Sequence, residues 1–200
     1  MGGVMGHAGM AATVVRYLRS VGAPTAAAGD VVPRPRLRAV REGERAPLDA
    51  AEFRRVLGTF ATGVTVVTAP GDAPAGFACQ SFSSLSLDPP LVCFMVARTS
   101  TTWPRIARAG VFCVNVLGAD QADLCRAFAV SGADKFAGVT YDAAPVTGAP
   151  RLAGVSAWVD CTVHAVHTGG DHLIVVGRVE ALDAAEGEAA PLLFHRGRLG

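Results

Sequence analysis

The segment GFACQSFSSLSLDPP, residues 76–90, is the part of this chain from which both the architecture and the candidate chemistry can be worked out. It begins at Gly76, carries four serines among apolar residues, and ends in a double proline. Successive side chains of a strand point to opposite faces, so every second residue shares a face, as Phe77, Cys79 and Ser81 do. Such a strand offers small donors and backbone amides to a flat, hydrogen-bonding ligand. The alternative is an ordinary strand that runs into a serine-rich loop.

The bulk composition indicates one domain with a sizeable core. The chain has 200 residues, of which 50% are hydrophobic and 18% charged. Residues 1–48 hold seven arginines and three acids and therefore have a net charge of +4. Because the whole chain has a net charge of +1, the remaining residues have a net charge of −3. A body of net negative charge lacks the basic surface that nucleic acid requires, so nucleic-acid binding is not expected.

The cysteines and the apolar runs indicate the compartment. Five cysteines occur without CxxC spacing, at positions 79, 93, 113, 125 and 161. This odd count predicts free thiols in a reducing compartment and argues against a zinc site, so we expect no metal. No apolar run approaches the ~18–20 residues that span a bilayer, and no signal-peptide pattern opens the chain. We therefore predict a cytoplasmic protein that does not bind membranes.

The first 48 residues differ in composition from the rest. They are rich in Gly, Ala, Pro and Arg, and although VVRYLRSVG (14–22) allows two helical turns, the prolines that follow break anything longer. We predict a disordered tail over residues 1–48 and a folded domain over 49–200. The alternatives are a functional arm, or a natural start downstream of Met1, which Met5 and Met10 leave open.

Strand patterns dominate the folded part. Asp49 is expected to cap a helix that ends at Gly63 and has Phe53, Val56, Leu57 and Phe60 on one face. Residues 64–68 alternate like a half-buried strand, and residues 91–97 form a continuous apolar strand.

The second half of the chain continues the strand pattern. A helix is expected from Pro104 to about Ala109, with Gly110 as its stop. The remaining expectations are a strand over 111–117, a helix over 120–128, a loop over 131–142, a hairpin of strands 156–167 and 172–182 around TGGD, and an edge strand over 191–197. The pattern is typical of a mainly β, antiparallel barrel with peripheral helices.

A hydroxyl cluster marks one candidate binding site. Ser100, Thr101 and Thr102 precede the expected helix, whose free amides and dipole favour an anion such as phosphate, and Arg98 adds a positive charge. The alternative is ordinary capping of the helix by one hydroxyl.

A histidine in the GGDH turn marks another. His172, beside Asp171, can donate a proton near neutral pH, or it can simply be an exposed surface residue. His164 and His167 lie three apart on a strand and therefore on opposite faces, so a joint metal site is not expected. Common dinucleotide, P-loop, hydrolase and zincin motifs are absent from the sequence.

Read together, the motifs resemble one family. FRRVLGTFATGVTVVT, GFACQSFSSLSLDPPLV, STTW, GVFCVNVL, DKFAGV, GGDH and PLLFHRG occur in the order and spacing of the short-chain flavin reductases, over about residues 48–198. These are the reductase components of two-component flavin-dependent monooxygenases, with an FMN-binding split β-barrel fold. Within the family, the chain most resembles the reductases that serve steroid-catabolic hydroxylases.

The resemblance implies a set of flavin-binding residues. Backbone amides and small side chains would bind the pyrimidine edge of the flavin, from Cys79, Gln80, Ser81, Phe82, Ser83, Ser84 and Ser86. The flavin phosphate would lie at Arg98, Ser100, Thr101, Thr102 and Trp103. Lys135 and Phe136 would lie at the rim of the site or near a dimer neighbour. Relatives often have Thr and Asn where this chain has Ala78 and Gln80, so one side-chain contact to the flavin is altered.

The resemblance also implies the reaction. Gly170 and Asp171 would lie near the nicotinamide, and His172 would be the catalytic candidate that orients NADH or NADPH against the flavin. The expected protein is a homodimeric NAD(P)H-dependent reductase of FMN or FAD that supplies reduced flavin to a separate monooxygenase. The alternatives are a flavin carrier or sensor without reductase turnover, and another split-barrel flavin oxidase.

Overall fold

The computed structural model describes residues 48–132, 134–187 and 189–200. The predicted tail and its short helix therefore lie outside the described residues, apart from Leu48. Among the described residues, no helix has both the length and the apolarity needed to cross a bilayer.

Three short α-helices and twelve strands are found in the described part of the chain. The helices are α1 (Ala50–Leu57), α2 (Trp103–Ala109) and α3 (Ala122–Ala129), the last preceded by a 3₁₀ turn at Ala119–Gln121. The strands are β1 (Thr62–Gly63), β2 (Thr65–Ala69), β3 (Ala75–Cys79), β4 (Ser83–Leu87), β5 (Pro90–Ala97), β6 (Val111–Val116), β7 (Tyr141–Ala143), β8 (Pro150–Leu152), β9 (Ala157–Gly169), β10 (His172–Ala184), β11 (Leu193–His195) and β12 (Arg198–Leu199).

Seven strands form one antiparallel sheet, in the order β3-β2-β6-β9-β10-β5-β4. Its two outermost strands, β3 and β4, are consecutive in the chain and separated by only three residues. Because each residue advances the chain by at most about 3.5 Å, the two ends of the sheet must lie close together. The sheet therefore curves back on itself, and the predicted mainly β class with peripheral helices is confirmed.

Local signals set several boundaries as expected. The Asp49 carboxylate accepts a hydrogen bond from the Ala51 N–H at 3.1 Å and so caps α1. Gly110, at φ 69°, ends α2 in a left-handed conformation that glycine adopts at little cost. The expected hairpin forms, with β9 and β10 joined through Gly170 and Asp171.

Two sequence-based expectations are wrong in detail. Helix α1 ends at Gly58 rather than Gly63, because the Gly58 N–H already closes the last turn onto the Arg54 carbonyl oxygen at 2.8 Å. Phe60 therefore lies beyond the helix. Strand β2 is buried on both faces rather than half-buried.

The two-sided burial of β2 follows from two cores. Val67 and Ala69 face the interior of the curved sheet, where Phe94 packs against three aromatic rings, those of Phe77, Trp103 and Phe112, at centroid distances of 5.3–6.4 Å. Val64 and Val66 lie in an outer cluster with Phe128 and Leu192. The burial of apolar side chains on both faces makes β2 a central stabilising strand.

Candidate functional site

A cavity of about 1560 Å³ opens at one rim of the sheet. Its lining comes from α1 and the turn after it, β1 and the start of β2, residues 80–83, one residue each of β5 and β6, the first residue of β10, and β11 with the turn that follows it. Its size exceeds the roughly 300–1,000 Å³ of most small-molecule pockets, so it can hold a ligand larger than a single ring system.

Ser81 is fixed at the wall of this cavity by the backbone of β5. Its hydroxyl accepts from the Met95 N–H at 2.9 Å and donates to the Met95 carbonyl oxygen at 3.0 Å. Ser83 pairs with Cys93 in the β4–β5 ladder, so Ser81 stands opposite Met95 at the next pairing position and replaces a backbone pair with its side chain. The hydroxyl is thus occupied, and what this segment offers a ligand is backbone.

The neighbours of Ser81 supply that backbone. Among the described residues, no backbone carbonyl accepts from the N–H of Gln80 or Phe82. The Gln80 side chain lies 3.4 Å from the Thr62 hydroxyl, and the Phe82 ring packs partly against the inner core. Free amides beside an anchored ring make a surface suited to a planar ligand with polar edges.

Cys79 lies just behind this wall. Its sulfur is 3.3 Å from the Ser81 hydroxyl, and burial raises the pKa of the thiol above its usual 9.0. The thiol is therefore protonated near neutral pH and is not a nucleophile. All five cysteines are free, as the sequence predicted, and all except the half-buried Cys93 are buried.

His172 reaches the same cavity from the opposite side of β5. It pairs with Ala97 of β5, two residues along from Met95, which stands opposite Ser81. Ser81 and His172 therefore lie beside opposite edges of the same strand. Nδ1 of His172 lies 2.8 Å from the Asp171 carboxylate. Because an ionised carboxylate only accepts, Nδ1 carries the hydrogen and Nε2 remains for a ligand. The same contact holds the pKa of Asp171 below its usual 3.8, so Asp171 is ionised throughout the neutral range.

The electrostatics of the cavity favour an anion. Its lining contains Arg54 and Arg196, together with Arg55, which is paired with Glu52, and His172, which contacts Asp171; no Asp or Glu side chain lies among the lining residues. A smaller cavity of about 520 Å³ at the C-terminal hairpin shares Arg196 and adds His195 and Arg198. The positive lining raises the local concentration of a negatively charged ligand.

The predicted phosphate segment lies elsewhere. Arg98, Ser100, Thr101, Thr102 and Trp103 are not in the cavity lining. The Ser100 hydroxyl accepts from the N–H groups of Thr102 and Trp103 at 3.3 and 3.1 Å, at the turn that leads into α2. The Arg98 N–H donates to the Asp171 carbonyl oxygen at 3.0 Å, which joins this segment to the hairpin turn that carries His172.

Lys135 and Phe136 are used by the fold. Lys135 Nζ donates to the carbonyl oxygens of Gly76 and Phe128 at 3.2 and 3.0 Å, and burial lowers its pKa below the usual 10.5. The Phe136 ring lies between those of Phe128 and Tyr141, with both centroids within 5.4 Å. The structure does not bring these two residues to the cavity.

The remaining predicted residues flank the cavity. Ser83 lines it, whereas Ser84 and Ser86 lie further along β4 and outside the lining. Gly170 sits in the hairpin turn, and the Asp171 side chain is 93% exposed. The structure thus groups Gln80, Ser81, Phe82, Ser83 and His172, and it separates the other predicted positions from them.

Residues that the sequence analysis missed complete the lining. Phe53 and Arg54 were treated as part of an ordinary amphipathic helix, and Phe194 and Arg196 as part of an edge strand. One local signal was available for Arg196, because it precedes a glycine in a two-residue turn where Asn or Asp is usual.

A curved antiparallel sheet with a cavity at its rim defines the split-barrel class of fold. This chain belongs to the flavin reductase-like domain family, whose model matches residues 57–200.

Similar proteins were found by sequence and by structure. The reductase subunit HsaB of a flavin-dependent monooxygenase of Rhodococcus jostii (strain RHA1) is 49% identical over 152 residues, which cover 76% of this chain and 77% of that one. The structure of nitrilotriacetate monooxygenase component B from Mycobacterium thermoresistibile matches with a TM-score of 0.73 and 47% identity, covering 75% of this chain and 84% of that one. An NADH:FAD oxidoreductase of Streptomyces globisporus C-1027, in complex with NAD and FAD fragments, matches with a TM-score of 0.73 and 38% identity, covering 78% and 96%.

Proposed function

We propose that this protein is an NAD(P)H-dependent flavin reductase that delivers reduced FMN or FAD to a separate monooxygenase. The observation that carries the proposal is the cavity itself, whose lining combines the amide-rich wall at residues 80–83 with His172 and contains no carboxylate. Family membership and the relatives described above support the same activity.

The residues present fit a flavin. Its ring system is flat and apolar with a polar edge, and the cavity offers Phe82 and Met95 beside the free amides of Gln80 and Phe82. Its phosphate is anionic, and the lining is cationic. A bound flavin supplies a ring that accepts a hydride from a reduced nicotinamide. The chain's own task is then to hold two ring systems in contact and to exclude water, so strong acid or base groups are not needed.

Within this proposal His172 is a positioning residue. Its Nδ1 is held by Asp171, so the ring has a fixed orientation and Nε2 is available to the carboxamide of a nicotinamide. The hydrogen bond between the Arg98 N–H and the Asp171 carbonyl oxygen keeps the turn against β5. The Ser81 hydroxyl bonds both backbone groups of Met95 and so holds residues 80–83 against β5.

The test is oxidation of NADH and of NADPH by the purified full chain, with and without added FMN or FAD. Turnover that depends on added flavin is expected. The His172→Ala variant should raise the KM for the nicotinamide nucleotide and lower kcat by roughly 10- to 100-fold, because misplacement of about 1 Å costs that much. His164→Ala is the matched control, because His164 is exposed on the same hairpin and does not line the cavity. Flavin binding without oxidation of either nucleotide would leave a carrier or sensor, and oxidation of a different substrate would leave another flavin oxidase.

The partners follow from the same proposal. The apolar residues of α1 are exposed in the single chain, and Phe53, Val56 and Leu57 are each about half accessible. We infer that a second copy covers this face in a homodimer, since burying such a surface is favourable. The molar mass in solution, by light scattering, should be that of a dimer, and Phe53→Glu should shift it towards the monomer. The narrower prediction of a steroid-catabolic oxygenase as partner stays a prediction.

The compartment also belongs to this proposal. Five free thiols, four of them buried, suit a reducing cytoplasm.

A further inference from the structure

Thr65, the first residue of β2, places a hydroxyl in a buried position. The residue is 3% exposed and stands between Val64 and Val66, which are buried as well, yet it also belongs to the cavity lining. Valine has nearly the same shape, so packing within the strand does not account for the hydroxyl. A hydroxyl removed from water costs free energy unless it has a hydrogen-bond partner, so the partner indicates what this hydroxyl does.

The partner of the hydroxyl is a backbone carbonyl at the end of the neighbouring strand. Thr65 Oγ1 donates to the Cys79 carbonyl oxygen at 2.9 Å, across the ladder that joins β2 to β3. Cys79 is the last residue of β3, and β3 is the outermost strand of the seven-stranded sheet. The hydrogen bond therefore lies at the point where the chain leaves the sheet and enters the amide-rich wall.

The Cys79 carbonyl belongs to the same peptide unit as the Gln80 N–H. This unit is planar and trans, so its carbonyl and its N–H point in opposite directions. Because the carbonyl is directed at Thr65 on β2, the Gln80 N–H is directed away from β2, towards the side of β3 on which no described strand pairs. No described backbone carbonyl accepts from this N–H. Thr65 thus fixes the direction of an amide that the fold leaves free.

The same hydrogen bond makes this amide a better donor. A carbonyl that accepts a hydrogen bond polarises its peptide unit, and hydrogen bonds linked in this way strengthen one another. Thr65 and Cys79 are 3% and 5% exposed, so little water competes for the carbonyl. The Thr65 hydroxyl therefore both orients the Gln80 N–H and strengthens it towards an acceptor in the cavity.

The residue after Gln80 is fixed independently. The Ser81 hydroxyl accepts from the Met95 N–H at 2.9 Å and donates to the Met95 carbonyl oxygen at 3.0 Å. The free N–H of Gln80 thus lies between two anchored points, one on β2 and one on β5. A donor that is held in place before a ligand arrives loses little entropy on binding, so it contributes more to affinity than a mobile donor.

We propose that Thr65 is a positioning residue for the flavin. It acts through the Cys79–Gln80 peptide unit on a hydrogen bond from the Gln80 N–H to the polar edge of the flavin ring. Because that edge carries more negative charge after reduction, a fixed and strengthened donor there binds reduced flavin more tightly than oxidised flavin. The proposal rests on the proposed function and deepens it.

The first measurement observes the Gln80 amide directly. Gln80 and Gln121 are the only glutamines of the chain, so protein grown with ¹⁵N-glutamine gives two backbone amide signals in NMR, one of which disappears in Gln121→Asn. The Gln121 N–H already donates to the Gly118 carbonyl oxygen at 3.0 Å, and Gln121 does not line the cavity, so it is an internal control. Titration with FMN should move the Gln80 amide proton downfield and leave that of Gln121 in place.

Variants of Thr65 test the link to the hydroxyl. Thr65→Val should move the Gln80 amide proton upfield before any flavin is added, because the peptide unit loses its polarising donor. Thr65→Ser keeps the hydroxyl and should restore the signal. Thr68→Val is the matched control, because Thr68 is a buried residue of the same strand whose hydroxyl donates to the Cys113 carbonyl oxygen at 3.2 Å and which does not line the cavity.

The second measurement compares dissociation constants for oxidised FMN and for FMN reduced under anaerobic conditions. Thr65→Val should weaken binding of reduced FMN about 5- to 10-fold and of oxidised FMN about twofold, within the range that one hydrogen bond contributes. Thr65→Ser and Thr68→Val should stay within about twofold of the unaltered protein for both forms. The same comparison with FAD should give the same order.

The proposal is overturned if FMN does not move the Gln80 signal, and this result needs only the unaltered protein, even where Thr65→Val does not fold. Equal weakening of reduced and oxidised FMN by Thr65→Val, or a similar loss in Thr68→Val, also overturns it, because a general loosening of the fold produces those patterns. The proposed function fails in a different way. A protein that shows the Gln80 shift and the Thr65 effect but oxidises neither NADH nor NADPH would refute the reductase and leave the role of Thr65 intact.

Discussion

Helices α1 and α3 have the same length and a similar charge pattern, but they pack in different surroundings. Each has eight residues, an acid in its first turn, and an exposed acid–arginine pair three residues apart, Glu52–Arg55 in α1 and Asp123–Arg126 in α3. Helix α3 buries Cys125 and Phe128, whereas α1 buries no residue at all.

The difference comes from what lies underneath each helix. Gly76 of β3 leaves room for the Phe128 ring, since a Cβ at that position would lie 2.6 Å from its Cε1 atom. Lys135 then fastens the end of α3 to β3 through the Phe128 and Gly76 carbonyl oxygens. Under α1 there is the cavity instead of a strand. An amphipathic pattern therefore predicts that one face of a helix is buried. The neighbouring element decides whether that face packs against the core or is left for a ligand or a partner.

The largest expected difference in stability is between the alanine variants of Phe128 in α3 and Phe53 in α1. Phe128→Ala should lower the free energy of unfolding by about 3–5 kcal/mol, because it empties a fully buried site. Phe53→Ala should change it by less than about 0.5 kcal/mol, as at most surface positions. Urea unfolding monitored at low protein concentration measures both. At concentrations where the proposed dimer forms, Phe53→Ala should also cost stability; a comparable loss that persists in the monomer would break the comparison.

Removal of the Lys135 anchor tests how α3 is held. Lys135→Met keeps the length of the side chain but loses both hydrogen bonds, and we expect a loss of about 1.5–3 kcal/mol in unfolding free energy. Arg108→Met, on the exposed face of α2, is the control and should be neutral. If Lys135→Met leaves stability unchanged but weakens flavin binding, the lysine serves the site rather than α3.

Alkaline pH should remove the stability that the buried Cys125 thiol of α3 contributes. Burial raises the pKa of the Cys125 thiol above its usual 9.0. The unfolded chain then loses this proton before the folded one does, so the stabilisation is complete below pH 9 and declines as the pH rises above it. Unfolding free energies of the unaltered protein and of Cys125→Ala, measured on both sides of that pH, should converge. Parallel pH profiles of the two proteins would contradict this expectation.

The smallest effects should come from the surface pairs. Arg55→Gln and Arg126→Gln each break an exposed ion pair, and both should leave the melting temperature nearly unchanged at moderate salt. A double-mutant cycle with Glu52→Gln or Asp123→Asn tests this. If only the α1 pair shows a coupling that survives high salt, α1 is shielded from solvent by a partner or a ligand.

The elements with local signals could be predicted from the sequence. Pro104 and Gly110 bracket α2, and the TGGD turn joins the two strands of the predicted hairpin. The family motifs also led to the amide-rich wall and to His172, which the structure brings into one cavity. The Ser100–Trp103 segment shows the limit of such signals, because hydroxyls before a helix look the same whether they cap it or bind an anion. In the described structure the Ser100 hydroxyl accepts from the Thr102 and Trp103 N–H groups at the start of α2, and the assignment of this segment to the flavin phosphate stays a prediction.

The rest depended on contacts between residues far apart in the chain. Val66 is buried on the outer face of β2 only because α3 and the C-terminal segment cover it, and no periodicity within β2 could show that. Arg54 and Arg196 lie at opposite ends of the folded domain in sequence, but the backbones of both are hydrogen-bonded to Gly58. The sequence around one of them therefore gives no indication of the other.

The sequence alone determined the class of fold and the family, and it predicts the segment that binds flavin, because these rest on short-range pattern and on motifs in order. The tertiary structure determined which of those residues share a cavity, that α1 is left uncovered by the chain, and that its charges and those of the C-terminal turn face the same space. Strand pairing and helix packing join positions that lie far apart in the chain, and that joining is set by how the whole sheet curves.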